Sequence, residues 1–233
     1  MLEIENLSAG YGEALVLRDF SCRIDSGKVT ALMGRNGMGK TTLMKTIMGL
    51  IRAQSGQILF DGTAIEKLPT HQISRIGMGY VPQGREIFAE FTVTENLRLS
   101  LLGHEGGETL PLEKIYDWFP ILKERAEQRA GTFSGGQQQI LAIARALIGG
   151  PKMLLLDEPT EGIQPSIVHD IGVQLGRIAR ETGLAILIVE QNVDMVRTLA
   201  DEVLFMEIGA IEERCDIESL RRDDSLLHRY LSV

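Results

Sequence analysis

Hydrophobic and polar positions alternate in the first part of the chain and later give way to unbroken apolar runs. Leu2, Ile4 and Leu7 fall on one face of a strand, and Val16-Leu17, Phe20, Cys22 and Ile24 predict a second and third, with Tyr11-Gly12 in the turn between. Residues 28–33 form an apolar β-type run, and 43–50 read as a helix ending near Gly49. Strands follow at 57–62 and at 76–83, the latter stopped by Pro82, which puts Gln83 at or just past a strand end. From Arg85 to about Gly150 the pattern is largely helical. A helix starts at 94–97, a polar loop with His104 spans 103–109, and Trp118, Phe119, Ile121 and Leu122 face inward from the stretch 112–129.

Two later runs, 152–158 and 184–189, are apolar without interruption, as suits parallel strands buried on both faces. The segments 202–206 and 211–213 read as a closing hairpin around Gly209, and 216–233 as an amphipathic tail whose charges face solvent. The pattern predicts an α/β fold over 1–233, a single domain. Its core lies at about 1–84 and 151–233, with an N-terminal antiparallel β subdomain, and a helical subdomain is inserted at about 85–150.

At 233 residues and 44% hydrophobic, the chain is long enough for that core. No run approaches 18 apolar residues, so no bilayer span is expected. The acidic, alternating start is unlike a signal peptide. Cys22 and Cys215 lack metal-ligand spacing and read as idle thiols, in keeping with a reducing cytoplasm. A net charge of −8 argues against a nucleic-acid partner.

Chemistry concentrates where the elements meet. Gly34-Arg35-Asn36-Gly37-Met38-Gly39-Lys40-Thr41-Thr42 fits G-x-x-x-x-G-K-[ST] between a strand and a helix, the setting a phosphate-wrapping loop requires. Glycines let backbone N–H groups close on an anion, and the helix start adds partial positive charge. Lys40 supplies a point charge to the outer phosphates and Thr41 a hydroxyl for Mg²⁺, so the expected ligand is a nucleoside triphosphate. The run 152–156 ends in Asp157 and Glu158, at the strand edge where such sheets bind ligands. One carboxylate there can hold Mg²⁺ and the other can orient a water. Ser134-Gly135-Gly136-Gln137 opens a helix with Ser134 as its N-cap, which is either a second anion cradle or a plain capped helix. Tyr11 either stacks on a base or simply packs. Glu190 and Gln191 reach the same edge as Asp157.

With these motifs in order, nearly the whole chain resembles the ATP-binding subunits of ABC transporters, with a P-loop NTPase core. That resemblance implies that Tyr11 stacks on the adenine and that residues 34–41 form the Walker A loop, with Thr42 beside it on the nucleotide. It implies that Gln83 touches Mg²⁺ and the attacking water, that Ser134–Gln137 are the signature sequence, and that Asp157 and Glu158 are the Walker B aspartate and catalytic glutamate. It further implies ATP and Mg²⁺ as cofactors and a head-to-tail dimer with a second ATPase subunit, homo- or heteromeric. Residues after Gln83 would receive the coupling helix of a transmembrane permease at the cytoplasmic face of the membrane, served indirectly by a solute-binding protein. Three positions depart from the family pattern. Phe133 replaces a leucine, Gln164 stands where many members carry an aspartate, and Gln191 stands where most carry a catalytic-site histidine. Glutamine can still hydrogen-bond a γ-phosphate but cannot become cationic, so slower or partner-dependent hydrolysis is expected.

Gln191 within Val189-Glu190-Gln191-Asn192 is similar to one ATPase subunit of the branched-chain amino acid, urea and amide importers. The stretches 82–88 and 158–165 resemble the urea and short-chain amide branch, since branched-chain members more often carry PEGR and EPSxGLAP there. The expectation is an importer of urea or short-chain amides. The alternatives are a branched-chain amino acid importer and a non-transport ABC ATPase.

Overall fold

The computed structural model describes residues 1–102 and 109–231, so His104 and most of the loop expected at 103–109 lie outside the described residues. In chain order the elements begin with β1 (Leu2–Tyr11), β2 (Ala14–Ile24), β3 (Val29–Met33), α1 (Lys40–Ile47), β4 (Ala53–Phe60), β5 (Thr63–Ala64), α2 (Thr70–Arg75) and β6 (Met78–Val81). Three helices follow, α3 (Val93–Leu101), α4 (Leu112–Trp118) and α5 (Pro120–Glu124), then a 3₁₀ turn at Ala130–Thr132 and α6 (Gly135–Leu147). The chain continues through β7 (Met153–Asp157), α7 (Pro165–Thr182), β8 (Ala185–Val189), α8 (Val193–Leu199), β9 (Glu202–Glu207) and β10 (Ala210–Asp216). It closes with α9 (Ile217–Arg222) and α10 (Ser225–Leu231).

The strands form two sheets. The first runs β2-β1-β4-β5 and is antiparallel throughout. Here the structure corrects the expected division of residues 16–24 into two strands. They form one strand, β2, bent where Asp19 adopts φ 48° and where its pairing with β1 shifts register. A bulge leaves the apolar spacing irregular, and from sequence that irregularity reads as a break.

The second sheet runs β10-β9-β3-β8-β7-β6. Strands β9, β3, β8, β7 and β6 are mutually parallel, and β10 pairs antiparallel at the edge. All residues of β3, β7 and β8 are buried, as their continuous apolar sequence requires. Alternate residues of these strands serve two cores. Leu154, Leu156, Ile186 and Ile188 pack with the α3–α8 helices, whereas Leu155, Leu187 and Leu32 pack with α1 and the first sheet. Leu155 is 0% exposed in the interior of β7. Leu155→Ala is expected to destabilise the fold by about 2–5 kcal/mol, because the flanking strands cannot collapse into the space. The check is urea unfolding, where the midpoint falls and the slope is retained.

Helix α3 begins at Val93, one residue before the expected start. Thr92 and Glu95 form a reciprocal capping box, so the N-cap is Thr92. Helix α7, at 18 residues the longest among the described residues, is not announced by the hydrophobic pattern. Gly172 and Gly176 interrupt its apolar face, because α8 packs against them: a Cβ on Gly172 would lie 3.0 Å from Met195 Sδ. The tail, expected as one amphipathic segment, forms two short helices, and Tyr230 stacks on Phe205 of β9 at 4.9 Å between ring centroids. Cys22 and Cys215 are free thiols, and burial pushes the Cys22 thiol up to about 12.

Candidate functional site

The parallel order of the second sheet brings the ends of four strands to one edge. The loop 34–39 follows β3, Gln83 follows β6, Asp157 ends β7, and Glu190-Gln191 follow β8. Two glycines make the loop possible. A Cβ on Gly34 would lie 2.4 Å from the Met206 carbonyl oxygen, and Gly39 is the N-cap of α1 with φ 105°. The loop borders a cavity of about 440 Å³, lined by Asn36, Gly37, Gly39, Lys40, Thr41 and Thr42, with Val16, Gln83, Glu158 and Glu161.

Lys40 is 4% exposed. A buried ammonium needs partners, and its Nζ donates to the carbonyls of Gly34 (2.7 Å) and Arg35 (2.9 Å) and lies 4.0 Å from Glu158 Oε1. Burial holds its pKa below the usual lysine range, opposed by Glu158, Asp157 and Glu190. The Thr41 hydroxyl donates to Asp157 Oδ1 at 3.1 Å, and the Tyr80 hydroxyl lies 3.5 Å from Oδ2. Asp157 is 0% exposed, and desolvation raises its pKa, opposed by the Thr41 hydrogen bond. A hydroxyl and a carboxylate in contact, both hard oxygen donors, suit Mg²⁺.

Glu158, the first residue past β7, adopts φ 47°, a left-handed conformation costing about 1–3 kcal/mol for such a residue. Two carboxamides bracket the carboxylate. Gln191 Nε2 donates to Oε1 at 3.0 Å, and Gln83 Nε2 donates to Oε2 at 3.3 Å. Gln191 Nε2 also reaches Asn36 Oδ1 of the phosphate loop at 2.7 Å, so Gln191 links the loop directly to Glu158. Gln83 Nε2 makes a second bond to Glu161 Oε2 at 2.9 Å. No motif in the sequence points to Glu161. Its signal was position alone, three residues past Glu158 in the turn after a buried strand. Glu190 is buried and accepts the backbone N–H groups of Thr160, Gln191 and Asn192, which ties the turn after β7 to the turn after β8.

Other expected residues stand elsewhere. Tyr11 ends β1 with 56% of its surface exposed and does not line the loop cavity, whereas Val16 does. Met38 Sδ accepts the Ile208 N–H, so that side chain faces the β9–β10 turn. Ser134 caps α6 in a capping box with Gln137, and Gly135 and Gly136 open the helix, but none of the four lines the cavity. Phe133 is buried with the Arg125 guanidinium 6.0 Å from its ring, and Gln164 precedes α7 without a side-chain cap. Among the described residues no helix is long and apolar enough to cross a membrane.

A glycine loop with a buried lysine, facing an aspartate and a bracketed glutamate, defines a P-loop nucleotide hydrolase. Comparison with known proteins refines the class. Residues 17–161 match the family model described as ABC transporter. The high-affinity branched-chain amino acid transport ATP-binding protein BraG of Pseudomonas aeruginosa is 41% identical over 212 residues, which cover 91% of this chain and 91% of BraG. The probable branched-chain amino acid transport ATP-binding protein LivF of Archaeoglobus fulgidus is 36% identical, covering 91% of this chain and 90% of that one. The solved ADP conformation of an ATP-binding cassette of an ABC transporter superposes with a TM-score of 0.84 at 28% identity, covering 100% of this chain and 99% of that one. The chain belongs to the ABC transporter family, as an ATP-binding subunit. It is an ATPase coupled to transport.

Proposed function

We propose that this subunit energises an importer of branched-chain amino acids, with its phosphate loop forming one half of an ATP site that a second subunit completes. The BraG and LivF relatives support this solute over the urea and amide expectation drawn from residues 82–88 and 158–165. Those short stretches diverge more easily than the chain-wide identity does.

The observation that carries the reading is the bracketing of Glu158 between Gln83 and Gln191 beside the Lys40 loop. Lys40 sets its charge against the outer phosphates of ATP, and the loop N–H groups cradle them. Thr41 and Asp157, with Gln83, would hold Mg²⁺. When bound, that ion neutralises charge on the phosphate oxygens. Glu158 orients the attacking water and accepts its proton. Gln191, fixed between Asn36 and Glu158, positions that carboxylate without contributing charge, since a carboxamide does not titrate. Tyr11, exposed at a strand end, is free to stack on the adenine.

Ser134–Gln137 present a second helix N-terminus that does not line the loop cavity, which suits a cradle for the γ-phosphate held by a partner's loop. The partner is a second ATPase subunit in head-to-tail arrangement. A groove of about 370 Å³ lies between Pro82, Arg85 and Glu86 on one wall and Ala142, Arg145 and Ala146 on the other, and seats a permease helix at the cytoplasmic face of the membrane. A solute-binding protein delivers the solute on the far side. Reconstitution with the permease tests the solute. Leucine or valine with the cognate binding protein is expected to stimulate ATP hydrolysis, and stimulation by urea or acetamide instead would overturn the assignment.

A further inference from the structure

The segment after Gln83 has positive φ at three consecutive residues, 89° at Gly84, 72° at Arg85 and 47° at Glu86, and the last two, which carry side chains, are strained there. Left-handed arginine and glutamate in succession persist only where their surroundings over-determine them. Two arginines do so here. Arg85 Nη2 donates to the Glu161 carbonyl at 3.1 Å, and its Nη1 reaches Gln138 Oε1 of α6 at 3.4 Å. Arg145, also on α6, donates from Nη1 to the Glu86 carbonyl at 2.7 Å, and its guanidinium lies 4.6 Å from the Phe88 ring centroid. The loop is therefore fastened to α6 near both ends of the helix and to the turn that follows Glu158.

Arg85 also occupies the space beside the first residue of α6. A Cβ on Gly135 would lie 3.0 Å from Nη1 and 3.3 Å from Cζ, so a side chain there would press the guanidinium out of its present position. A cation beside a helix N-terminus is repelled by the helix dipole, and an arriving anion relieves that repulsion.

We propose that Arg85 is a positioning residue that holds the Ser134–Gln137 start of α6 in register with Gln83 and the turn carrying Glu158 and Glu161. This rests on the reading that Ser134–Gln137 receives a partner's γ-phosphate. Arginine suits the task because its planar fork spans two acceptors on different elements, which a lysine ammonium cannot do in the same way. Any force on the 84–88 loop then moves the helix start and the water-positioning turn together.

The test compares Arg85→Ala, Arg85→Lys and Ser134→Arg by steady-state ATP hydrolysis and by ATP affinity. Arg85→Ala is expected to lower kcat roughly ten- to a hundredfold through misplacement, with ATP affinity unchanged, and Arg85→Lys to recover only part of the loss. Hydrogen exchange, which needs no partner, is expected to accelerate at amides 135–138 and stay unchanged at amides 40–44. Wild-type turnover by Arg85→Ala, full rescue by lysine, or a parallel loss of ATP affinity would overturn the role of Arg85. Normal turnover by Ser134→Arg would instead overturn the underlying reading of the α6 start, whereas an inactive Ser134→Arg beside a fully active Arg85→Ala would sink the Arg85 proposal alone.

Discussion

Glu158→Gln is expected to reduce phosphate release by at least about a hundredfold, the usual contribution of a positioned general base, while ATP stays bound. The substitution keeps the shape of the side chain, so Gln83 and Gln191 retain an oxygen to bond on one side. It removes the negative charge that stands 4.0 Å from Lys40. Lys40 keeps its two carbonyl partners, and the phosphates no longer face a neighbouring carboxylate, so nucleotide affinity holds or rises. With chemistry blocked and ATP retained, the closed dimer accumulates and is visible by size-exclusion chromatography. Hydrolysis at the normal rate would show that Glu158 is not the group that positions water.

Lys40→Ala is expected to weaken ATP binding roughly ten- to a hundredfold, the scale of a lost charge-assisted hydrogen bond. The ammonium is buried at the mouth of the loop, and alanine leaves the Gly34 and Arg35 carbonyls without that donor as well as deleting the charge. A fluorescent nucleotide titration measures the effect. Unchanged affinity would remove the phosphate loop from the centre of the account.

Much of this arrangement was legible because the chemistry is local in sequence. A strand, a glycine loop and a helix over 29–47 announce their own ligand, and the unbroken run ending in Asp157 announces a buried parallel strand with a carboxylate at its exit. What joins them was not legible. The bond from Gln191 to Asn36 connects positions 155 residues apart, and it exists because β8 lies beside β3 in the sheet. Arg85 illustrates the same limit more strongly. Its reach to Gln138 and Glu161 depends on a left-handed backbone that no arginine signals in advance. The bulge in β2 and the glycine-broken face of α7 were missed for a related reason, since close packing against a neighbour disturbs the periodicity that identifies an element.

The central claim, that this chain carries two halves of different ATP sites, is tested most directly by mixing two damaged variants. Lys40→Ala weakens the phosphate loop and Ser134→Arg blocks the α6 cradle, so at ATP concentrations that only an intact loop binds, each protein alone is expected to be inactive. In a mixed dimer the intact loop of one chain meets the intact cradle of the other. ATP hydrolysis is therefore expected to reappear on mixing and to grow with the fraction of mixed dimers. A mixture that stays inactive while both variants remain folded, or a Ser134→Arg chain that is active alone, would contradict the account.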